Sequence, residues 1–432
     1  MSEQPAATHK SLTRQDMRTL GLASLGGALE FYDFIIFVYF ATVIGQLFFP
    51  PELPEWAKQL QTFGIFAAGY LARPLGGIVM AHFGDKMGRK KMFAFSILLM
   101  AISTLGMGLL PTYADIGLAA PILLLVLRLF QGAAIGGEVP GAWVFVAEHV
   151  PANRIGLGGG LVTSGLTIGI LMGSLAATWL NSVFTPEEIL DVAWRYPFLM
   201  GGVFGLVAVY LRRWLSETPV FQAMKARKAL SEEMPLRVVA RDHRGGVIIS
   251  MALTGLLSAG IIVMIVMILM MPAVLQKYYG IGVQDSLRAN SVATVFLSVG
   301  CVLAGLLIDR IGSARFFTWL SPIAGIAALI MLVTLRDSPD LLMPLSAPVG
   351  LCVGIVGAVP HAMVHVFQPA VRFSGISTSY NVAYAVFGGL TPIAVTLMLQ
   401  ASPIAPAIYV LILGAVGVAT GLGLKRVRQY AV

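Results

Sequence analysis

The chain has 432 residues, of which 57% are hydrophobic and only 12% are charged, and its mean hydropathy is +0.84. Soluble globular proteins average about 45 to 50% apolar and about 25% charged residues, so this composition excludes a soluble globular protein and predicts an integral membrane protein. The net charge of +8 does not indicate nucleic-acid binding, because the basic residues fall mainly in alternate breaks between apolar segments.

Apolar runs of about 20 residues recur along the chain, which is the length of a helix that crosses a bilayer. A membrane barrel would instead show alternating segments of about ten residues, so the predicted fold class is an all-α membrane protein. Twelve spans are predicted, at residues 20–46, 61–83, 92–110, 119–146, 157–181, 196–213, 246–271, 289–308, 315–335, 343–364, 375–399 and 404–424.

The distribution of basic residues predicts the orientation of these spans. If both termini are cytoplasmic, the basic residues in the outer loops are limited to Lys58, Arg195, Lys277, Arg288 and Arg336. Cytoplasmic segments of membrane proteins carry the excess of Lys and Arg, so both termini are predicted to be cytoplasmic.

Two carboxylates, Glu30 and Asp33, lie near the predicted middle of the first span. A charge at this depth costs about 2.5 to 3.5 kcal/mol in lipid, so we expect the pair to have a function. The two share a helix face, and burial with adjacency would separate their proton affinities. The pattern predicts proton coupling by one of them, or a fixed ion pair with Arg128 or Arg73. The run is too long and too charged for a signal peptide.

The loop after the second span is repeated later in the chain. Asp85 begins Asp-Lys-Met-Gly-Arg-Lys, and Asp309 begins Asp-Arg-Ile-Gly-Ser after the eighth span. Their offset of 224 residues (309 − 85) is about half the chain, which predicts a six-plus-six duplication. The predicted parts are a cytoplasmic tail at 1–18, a six-helix bundle at 19–213, a cytoplasmic linker at 214–245, a second six-helix bundle at 246–424 and a cytoplasmic tail at 425–432.

The fourth span carries three polar residues, Arg128, Gln131 and Glu138, among glycines spaced four apart. Such spacing is typical of a helix packed closely against its neighbours, so this polar face should point into the bundle. Arg128 could bind a substrate carboxylate through its guanidinium or neutralise the carboxylates of the first and fourth spans. The same alternatives apply to Arg73 on the second span.

Polar residues on the tenth and eleventh spans are further candidates. His361 and His365 share a helix face, which fits a proton relay, a substrate contact or simple packing, and no third ligand at useful spacing indicates a metal. Asn381 and Tyr384 could hydrogen-bond a substrate or a neighbouring helix. Cys301 lies within an apolar span and predicts no disulfide.

The loop string Asp85-Lys86-x-Gly88-Arg89-Lys90 resembles the loop between helices two and three of the major facilitator superfamily. Further strings resemble its metabolite:proton symporter branch, which holds bacterial carriers for citrate, 2-oxoglutarate, shikimate and proline or betaine. These strings are Glu30-Phe31-Tyr32-Asp33-Phe34, Arg73-Pro74-Leu75-Gly76-Gly77, Arg128-x-x-Gln131-Gly132-x-x-x-Gly136-Gly137-Glu138-x-x-Gly141, Glu217-Thr218-Pro219-x-Phe221, and Tyr380-Asn381 through Gly388-Gly389-Leu390-Thr391-Pro392. The resemblance implies the major facilitator fold, with twelve transmembrane helices in two six-helix bundles and a substrate site between them.

The resemblance also implies a gate formed by the repeated loops. Their charges would latch the two halves together at the cytoplasmic face in the outward-open state. The predicted gating residues are Asp85, Arg89, Lys90, Asp309 and Arg310, and the second copy has Ser313 where an arginine is expected.

The seventh span departs from the resemblance. Carriers of carboxylates in this family tend to have tyrosine and threonine there, whereas this chain has Met264, Met267 and Met270. Methionine is more typical of packing than of recognition, which weakens a substrate assignment from relatives.

The chain has no phosphate-binding loop and no nucleophile with its base, so we predict a transporter driven by a gradient and not an enzyme. The first expectation is proton-coupled symport of a small organic acid of the di- or tricarboxylate type by alternating access. The alternatives are uptake of a zwitterionic osmolyte such as proline or betaine, and a transporter-like sensor that does not turn over. No metal or cofactor is predicted, and the partners are the substrate, protons and the lipid of the cell inner membrane around a monomer. Candidate substrate contacts are Arg73, Arg128, Gln131, Glu138, His361, His365, Asn381 and Tyr384.

Overall fold

The computed structural model describes residues 12–227, 235–269 and 271–432, and these residues form helices joined by short turns. The helices of the first half are Arg14–Tyr39, Ala41–Phe48, Glu55–Met87, Arg89–Leu109, Tyr113–Ile116, Ala119–Ala147, Ala152–Arg154, Ile155–Val183, Pro186–Glu188, Ile189–Ala193 and Arg195–Arg212. The described part of the linker contains the helices Pro219–Ala226 and Pro235–Asp242. The helices of the second half are Arg244–Leu269, Met271–Tyr279, Val283–Ile311, Ser313–Leu320, Ile323–Thr334, Pro339–Leu341, Leu342–Val353, Gly354–Ala358, Val359–His365, Pro369–Val371, Arg372–Leu399 and Ala405–Gly423.

Twelve crossings can be traced through the described helices. Among the described residues, nine helical stretches are long and apolar enough to span a bilayer, and a bent pair, Pro186–Ala193 with Arg195–Arg212, forms one more at an angle of 44°. Arg244–Leu269 and Arg372–Leu399 occupy the positions of the predicted seventh and eleventh spans. The predicted all-α fold with twelve spans is confirmed. The side chains of Met264 and Met267 lie outside the described part of the structure, as does Met270.

The first span differs most clearly from its predicted bounds. Its helix begins at Arg14, where the Thr13 hydroxyl accepts a hydrogen bond from the Asp16 N–H at 3.2 Å and the Asp16 carboxylate accepts one from the Thr13 N–H at 2.8 Å. This reciprocal cap stabilises a polar first turn. Hydropathy could not reveal that turn, and it also missed the break in the helix at Phe40.

The backbone repeats the duplication seen in the sequence. Gly88 joins the second and third spans with a φ of 118°, and Gly312 joins the eighth and ninth with a φ of 78°. The two glycines are 224 residues apart (312 − 88), the same offset as Asp85 and Asp309. Positive φ favours glycine, which explains why both loops keep it at this position.

Glycines set the distance between neighbouring spans within the first half. A Cβ atom at Gly132 would overlap the carbonyl oxygen of Gly69, and one at Gly136 would overlap the carbonyl oxygen of Arg73. The second and fourth spans therefore pack backbone against backbone, as the glycine spacing predicted.

The two halves are in close contact through the fifth and eighth spans. A Cβ atom at Gly156 would overlap the carbonyl oxygen of Gly305, and one at Gly160 would lie 2.5 Å from the carbonyl oxygen of Cys301. Side chains longer than hydrogen would hold these spans apart. Gly156 and Gly160 thus allow the halves to meet in the described conformation.

A matched pair of glycine substitutions tests this packing. Gly132→Ala is expected to destabilise the protein by roughly 1 to 3 kcal/mol, because its new methyl group forces the second and fourth spans apart. Gly64→Ala is expected to be neutral or slightly stabilising, since a Cβ atom there meets nothing within 4 Å. The thermal unfolding midpoint of each purified variant in detergent measures the difference. Equal midpoints for the two variants would contradict the close packing.

Candidate functional site

A hydrogen-bonded path connects Asp33 to Arg128 through two neutral side chains. The Thr104 hydroxyl donates to Asp33 Oδ2 at 2.9 Å, and Gln131 Nε2 donates to the Thr104 hydroxyl at 2.9 Å. Arg128 in turn donates to Gln131 Oε1. All four side chains are buried. The first, third and fourth spans therefore hold a carboxylate and a guanidinium in one network, with Thr104 as a member that the sequence did not reveal.

The burial of Asp33 makes the free energy of the site depend on whether its carboxyl group is ionised or protonated. The residue is only 1% exposed, and its second oxygen, Oδ1, has no hydrogen-bond partner among the described residues. Gly201 of the sixth span lies directly against that oxygen, since a Cβ atom there would overlap it. Leaving an ionised buried oxygen without a donor is costly, whereas protonation reduces the cost. Glu30 lies on the same helix, and its side chain is outside the described part of the structure.

Both predicted arginines lie over aromatic rings. The Arg128 guanidinium carbon is 4.3 Å from the ring centre of Phe37 and 5.0 Å from that of Phe66. Arg73 is 2% exposed, and its guanidinium faces three tyrosine rings, described below. Cations within about 6 Å of a ring centre are attracted by the negative face of the ring. These contacts help to keep two charges inside the bundle.

Asn381 contacts the opposite half of the molecule. Its Nδ2 donates to the carbonyl oxygen of Gly136 at 2.7 Å and to that of Ser377 at 2.8 Å. Gly77 of the second span also lies close, because a Cβ atom there would overlap Asn381 Nδ2. The contact joins the eleventh span to the second and fourth spans, which favours the helix-contact alternative. A substrate contact by Asn381 stays a prediction.

Glu138 forms a buried ion pair with Arg212 at the end of the sixth span. Arg212 also donates to the carbonyl oxygen of Phe93 at 2.7 Å, and the Ser96 hydroxyl donates to Glu138 Oε2 at 2.5 Å. Arg212, and not Arg128, therefore neutralises Glu138. No spacing in the sequence indicates Arg212 as the partner, and the predicted substrate contact of Glu138 stays a prediction.

The first repeated loop forms a buried charge cluster that joins the two halves, which we name the Asp85 cluster. Arg89 lies 3.6 Å from Asp85 and 3.1 Å from Glu148, and Arg372 of the second half lies 3.3 Å from the same Glu148 oxygen. Asp85 Oδ2 accepts a hydrogen bond at 2.9 Å from the N–H of Ser374 in the first turn of the eleventh span. A carboxylate is favourable at a helix N-terminus, so this contact links the halves as well.

The second repeated loop forms an equivalent contact, which we name the Asp309 cluster. Asp309 accepts hydrogen bonds from the N–H groups of Gly156 at 2.6 Å and Leu157 at 2.9 Å, in the first turn of the fifth span. Each repeated aspartate thus binds the first turn of a helix in the opposite half. Ser313, in the position of the missing arginine, hydrogen-bonds His361 Nδ1 at 2.9 Å.

His361 and His365 of the tenth span lie beside the Asp309 cluster. His361 Nε2 is 3.9 Å from Asp309, and His365 Nδ1 is 2.6 Å from the carbonyl oxygen of His361. The ring centres of His361 and His365 lie 4.5 Å apart, with the ring planes inclined by 35°. His361 thus belongs to the Asp309 cluster, whereas the carbonyl oxygen of His365 accepts a hydrogen bond from the N–H of Tyr430 at 2.7 Å. A substrate contact by either histidine stays a prediction.

The linker docks on the Asp85 cluster. Glu217 accepts hydrogen bonds from the N–H groups of Arg89 at 3.1 Å and Lys90 at 3.2 Å, and the Thr218 hydroxyl donates to Glu148 at 2.7 Å. The Lys90 side chain reaches the carbonyl oxygen of Arg213 at 3.4 Å, within its own half. Arg310 is exposed to solvent. Gating roles for Lys90 and Arg310 therefore stay predictions.

Comparisons with known proteins identify the family. A family model described as Major Facilitator Superfamily matches residues 35–392. The chain belongs to the Major Facilitator Superfamily. It is therefore a multi-pass membrane transporter and not an enzyme, as predicted.

Two relatives match over most of this major facilitator's length. A putative proline/betaine transporter of Staphylococcus aureus (strain COL) is 31% identical over 417 residues, which cover 93% of this chain and 86% of that protein. A proline/betaine transporter of Salmonella typhimurium (strain LT2) is 29% identical over 428 residues, which cover 94% of this chain and 83% of that protein. The solved structure of the MFS proton:xylose symporter XylE bound to 6-bromo-6-deoxy-D-glucose has a TM-score of 0.76 at 16% identity and covers 95% of both chains. This likeness confirms the major facilitator fold.

Proposed function

We propose that this chain is a proton-coupled symporter that takes up a small zwitterion of the proline and betaine class by alternating access. The names of the relatives at 31% and 29% identity support this substrate class. They favour the zwitterion alternative over the organic acid, which is the first expectation from the sequence. We also propose that the carrier lies in the cell inner membrane with both termini in the cytoplasm. Its domain boundaries are those predicted from the sequence, and it is proposed to be a monomer.

The path from Asp33 to Arg128 is the observation that carries proton coupling. In the ionised state, the negative charge of Asp33 is balanced by Arg128 through Thr104 and Gln131. Protonation of Asp33 removes that charge and leaves the positive charge of Arg128 uncompensated, so the arginines of the site attract a substrate carboxylate more strongly. The two events are thereby coupled: a substrate carboxylate binds best when Asp33 carries its proton.

A zwitterion suits this site because it brings a carboxylate without net charge. The carboxylate would bind Arg73 or Arg128, since a guanidinium fork can hold it through two hydrogen bonds. Burial of an uncompensated di- or tricarboxylate would cost much more. The buried arginines alone remain compatible with an organic acid, so the transport experiment has to distinguish the two classes.

The Asp85 and Asp309 clusters would form the cytoplasmic gate. Both join the halves in the described conformation, which supports a state closed at this end. Release of substrate to the cytoplasm requires these contacts to separate as the halves rock. Protonation and substrate binding would supply the differential affinity that drives the change.

Internal pH in proteoliposomes tests the proposal. With purified protein and a pH-sensitive dye inside, addition of glycine betaine or proline outside is expected to acidify the lumen, and a protonophore should abolish the signal. Citrate, 2-oxoglutarate, succinate and shikimate should give no response. Acidification by one of these acids alone would restore the organic-acid alternative. The absence of a pH change with every compound would favour the alternative of a transporter-like sensor that does not turn over.

A further inference from the structure

Three tyrosine rings from both halves surround the Arg73 guanidinium. Its carbon lies 4.3 Å from the ring centre of Tyr384, 5.6 Å from that of Tyr380 and 5.7 Å from that of Tyr70. Tyr70 belongs to the second span and the other two to the eleventh. We name Tyr70, Tyr380 and Tyr384 the tyrosine cage. A cation is thus enclosed by aromatic faces at a junction between the halves that rock in transport.

Neighbouring aromatic rings hold the cage in place. Tyr70 stacks on Tyr384 at 6.0 Å, and Tyr380 contacts Tyr384 at 5.3 Å. Trp143 of the fourth span meets Tyr380 edge-on at 5.2 Å, and Phe66 meets Tyr70 at 5.2 Å. Phe66 also lies under Arg128, so one aromatic wall connects the cage to the Asp33 network. Rings packed in this way lose little freedom when a ligand binds, which favours affinity.

The chemistry of the cage matches an alkylated ammonium group. Such a group is a cation with few or no N–H donors, so it cannot be satisfied by hydrogen bonds, whereas aromatic faces attract it through the ring quadrupole. Arg73 already shows that the cage accepts a cation away from water. A carboxylate could draw the Arg73 guanidinium toward itself through a bidentate contact, and the ammonium would then occupy the ring faces that Arg73 leaves.

We propose that the tyrosine cage is the subsite for the ammonium head of a betaine-type zwitterion, with Arg73 binding the carboxylate of the same molecule. This rests on the proposed function, because it takes a zwitterion to be the substrate. The exchange keeps one cation in the cage in both states. It selects zwitterions over simple anions, because an anion would draw Arg73 away and leave no cation in its place.

A substrate isostere tests the role of the positive charge. In 3,3-dimethylbutanoate a carbon atom replaces the nitrogen of glycine betaine, so shape and carboxylate are kept and the cation is lost. We expect purified protein to bind radiolabelled glycine betaine, and the isostere to compete at least about tenfold more weakly than unlabelled betaine. Equal competition by the two compounds would overturn the cage.

Substitutions at Tyr384 test the ring faces. Tyr384→Leu is expected to weaken betaine binding at least about tenfold, whereas Tyr384→Phe keeps the ring and should stay within about threefold of wild type. Tyr210→Leu, at a tyrosine that is 52% exposed, is the matched control and should bind like wild type. Wild-type affinity in Tyr384→Leu would overturn the proposal, as would an equal loss in Tyr384→Phe.

The outcomes separate this inference from the function on which it rests. Proton-coupled uptake of proline together with no binding of betaine would overturn the cage and leave zwitterion symport standing. Absence of uptake and binding for both zwitterions would overturn both. Betaine binding with strong preference over the isostere, lost in Tyr384→Leu and kept in Tyr384→Phe, supports the cage directly.

Discussion

Asp33→Asn is expected to abolish proton-driven accumulation of substrate completely, while exchange of substrate across the membrane survives. Asparagine fits the same space and can still accept the hydrogen bond from Thr104, but it cannot take up and release a proton. Position 33 would then stay permanently neutral, and the positive charge of Arg128 would stay without its balancing carboxylate. Uptake driven by an imposed pH gradient and counterflow without one, both measured in proteoliposomes, separate the two activities.

A matched carboxylate outside the membrane provides the control. Asp115→Asn makes the same substitution at an exposed residue, where hydrogen bonds from Thr112 hold the pKa of the carboxyl below its usual value. Asparagine can accept the same bonds, so this variant should accumulate substrate like wild type. Glu30→Gln should be measured in parallel, because the sequence assigned coupling to one member of the pair. Normal accumulation in both Asp33→Asn and Glu30→Gln would refute the coupling assignment.

The spans and the duplication were predictable because they depend on local or periodic signals. Apolar runs of membrane length and the asymmetry of basic residues are visible in the sequence. The repeat was visible because Asp85 and Asp309 keep a common spacing to the glycines Gly88 and Gly312, whose backbone conformation requires that residue. Helix ends were less predictable, since caps such as Thr13 lie outside the apolar runs.

The partners of buried charges were not predictable, because they depend on which spans meet. Glu138 pairs with Arg212, 74 residues away, and Glu148 pairs with Arg372, 224 residues away. Thr104 had no signal at all, since one hydroxyl in an apolar run is more often a packing residue. The sequence identified buried charges as important, and only the packing of the helices assigned a partner to each.

The substrate class also needed more than the sequence pattern. Arg73 and Arg128 predicted a carboxylate, and that chemistry is shared by organic acids and zwitterions. Two of the rings that surround Arg73, those of Tyr70 and Tyr380, lie 310 residues apart in the sequence (380 − 70), and no spacing rule brings them together. The proposed preference for a zwitterion depends on this three-dimensional arrangement of cation and rings.

Glu148→Gln is expected to separate the two halves at the Asp85 cluster and so to open this end of the carrier. The carboxylate of Glu148 binds Arg89, Arg372 and the Thr218 hydroxyl at 3.1, 3.3 and 2.7 Å, so its loss leaves two buried guanidinium groups with Asp85 as their remaining carboxylate in the Asp85 cluster. Removing one partner of a buried ion pair costs about 3 to 5 kcal/mol. A penalty of that size in the closed state alone would shift the population toward the open state by a factor of 100 or more, roughly.

Thiol labelling at the contact between the halves measures this shift. Ser377 is buried against the carbonyl oxygen of Gly136 at 3.2 Å, so Ser377→Cys should react slowly with a water-soluble maleimide while this end is closed. The background should carry serine at Cys301 and Cys352. Glu148→Gln is expected to accelerate labelling at least tenfold, roughly, and to reduce net transport because the closed state is depleted.

The matched control is Glu55→Gln, which removes a partly exposed surface ion pair with Lys58 at 3.1 Å. Such pairs contribute at most about 1 kcal/mol, so labelling at Ser377→Cys should match the parent. Unchanged labelling in Glu148→Gln, with transport intact, would mean that the Asp85 cluster does not hold the halves together. Asp309 binds the N–H groups of the fifth span without help from Glu148. If both clusters close this end, the variant that combines Asp309→Asn with Glu148→Gln should be labelled faster at Ser377→Cys than either single variant.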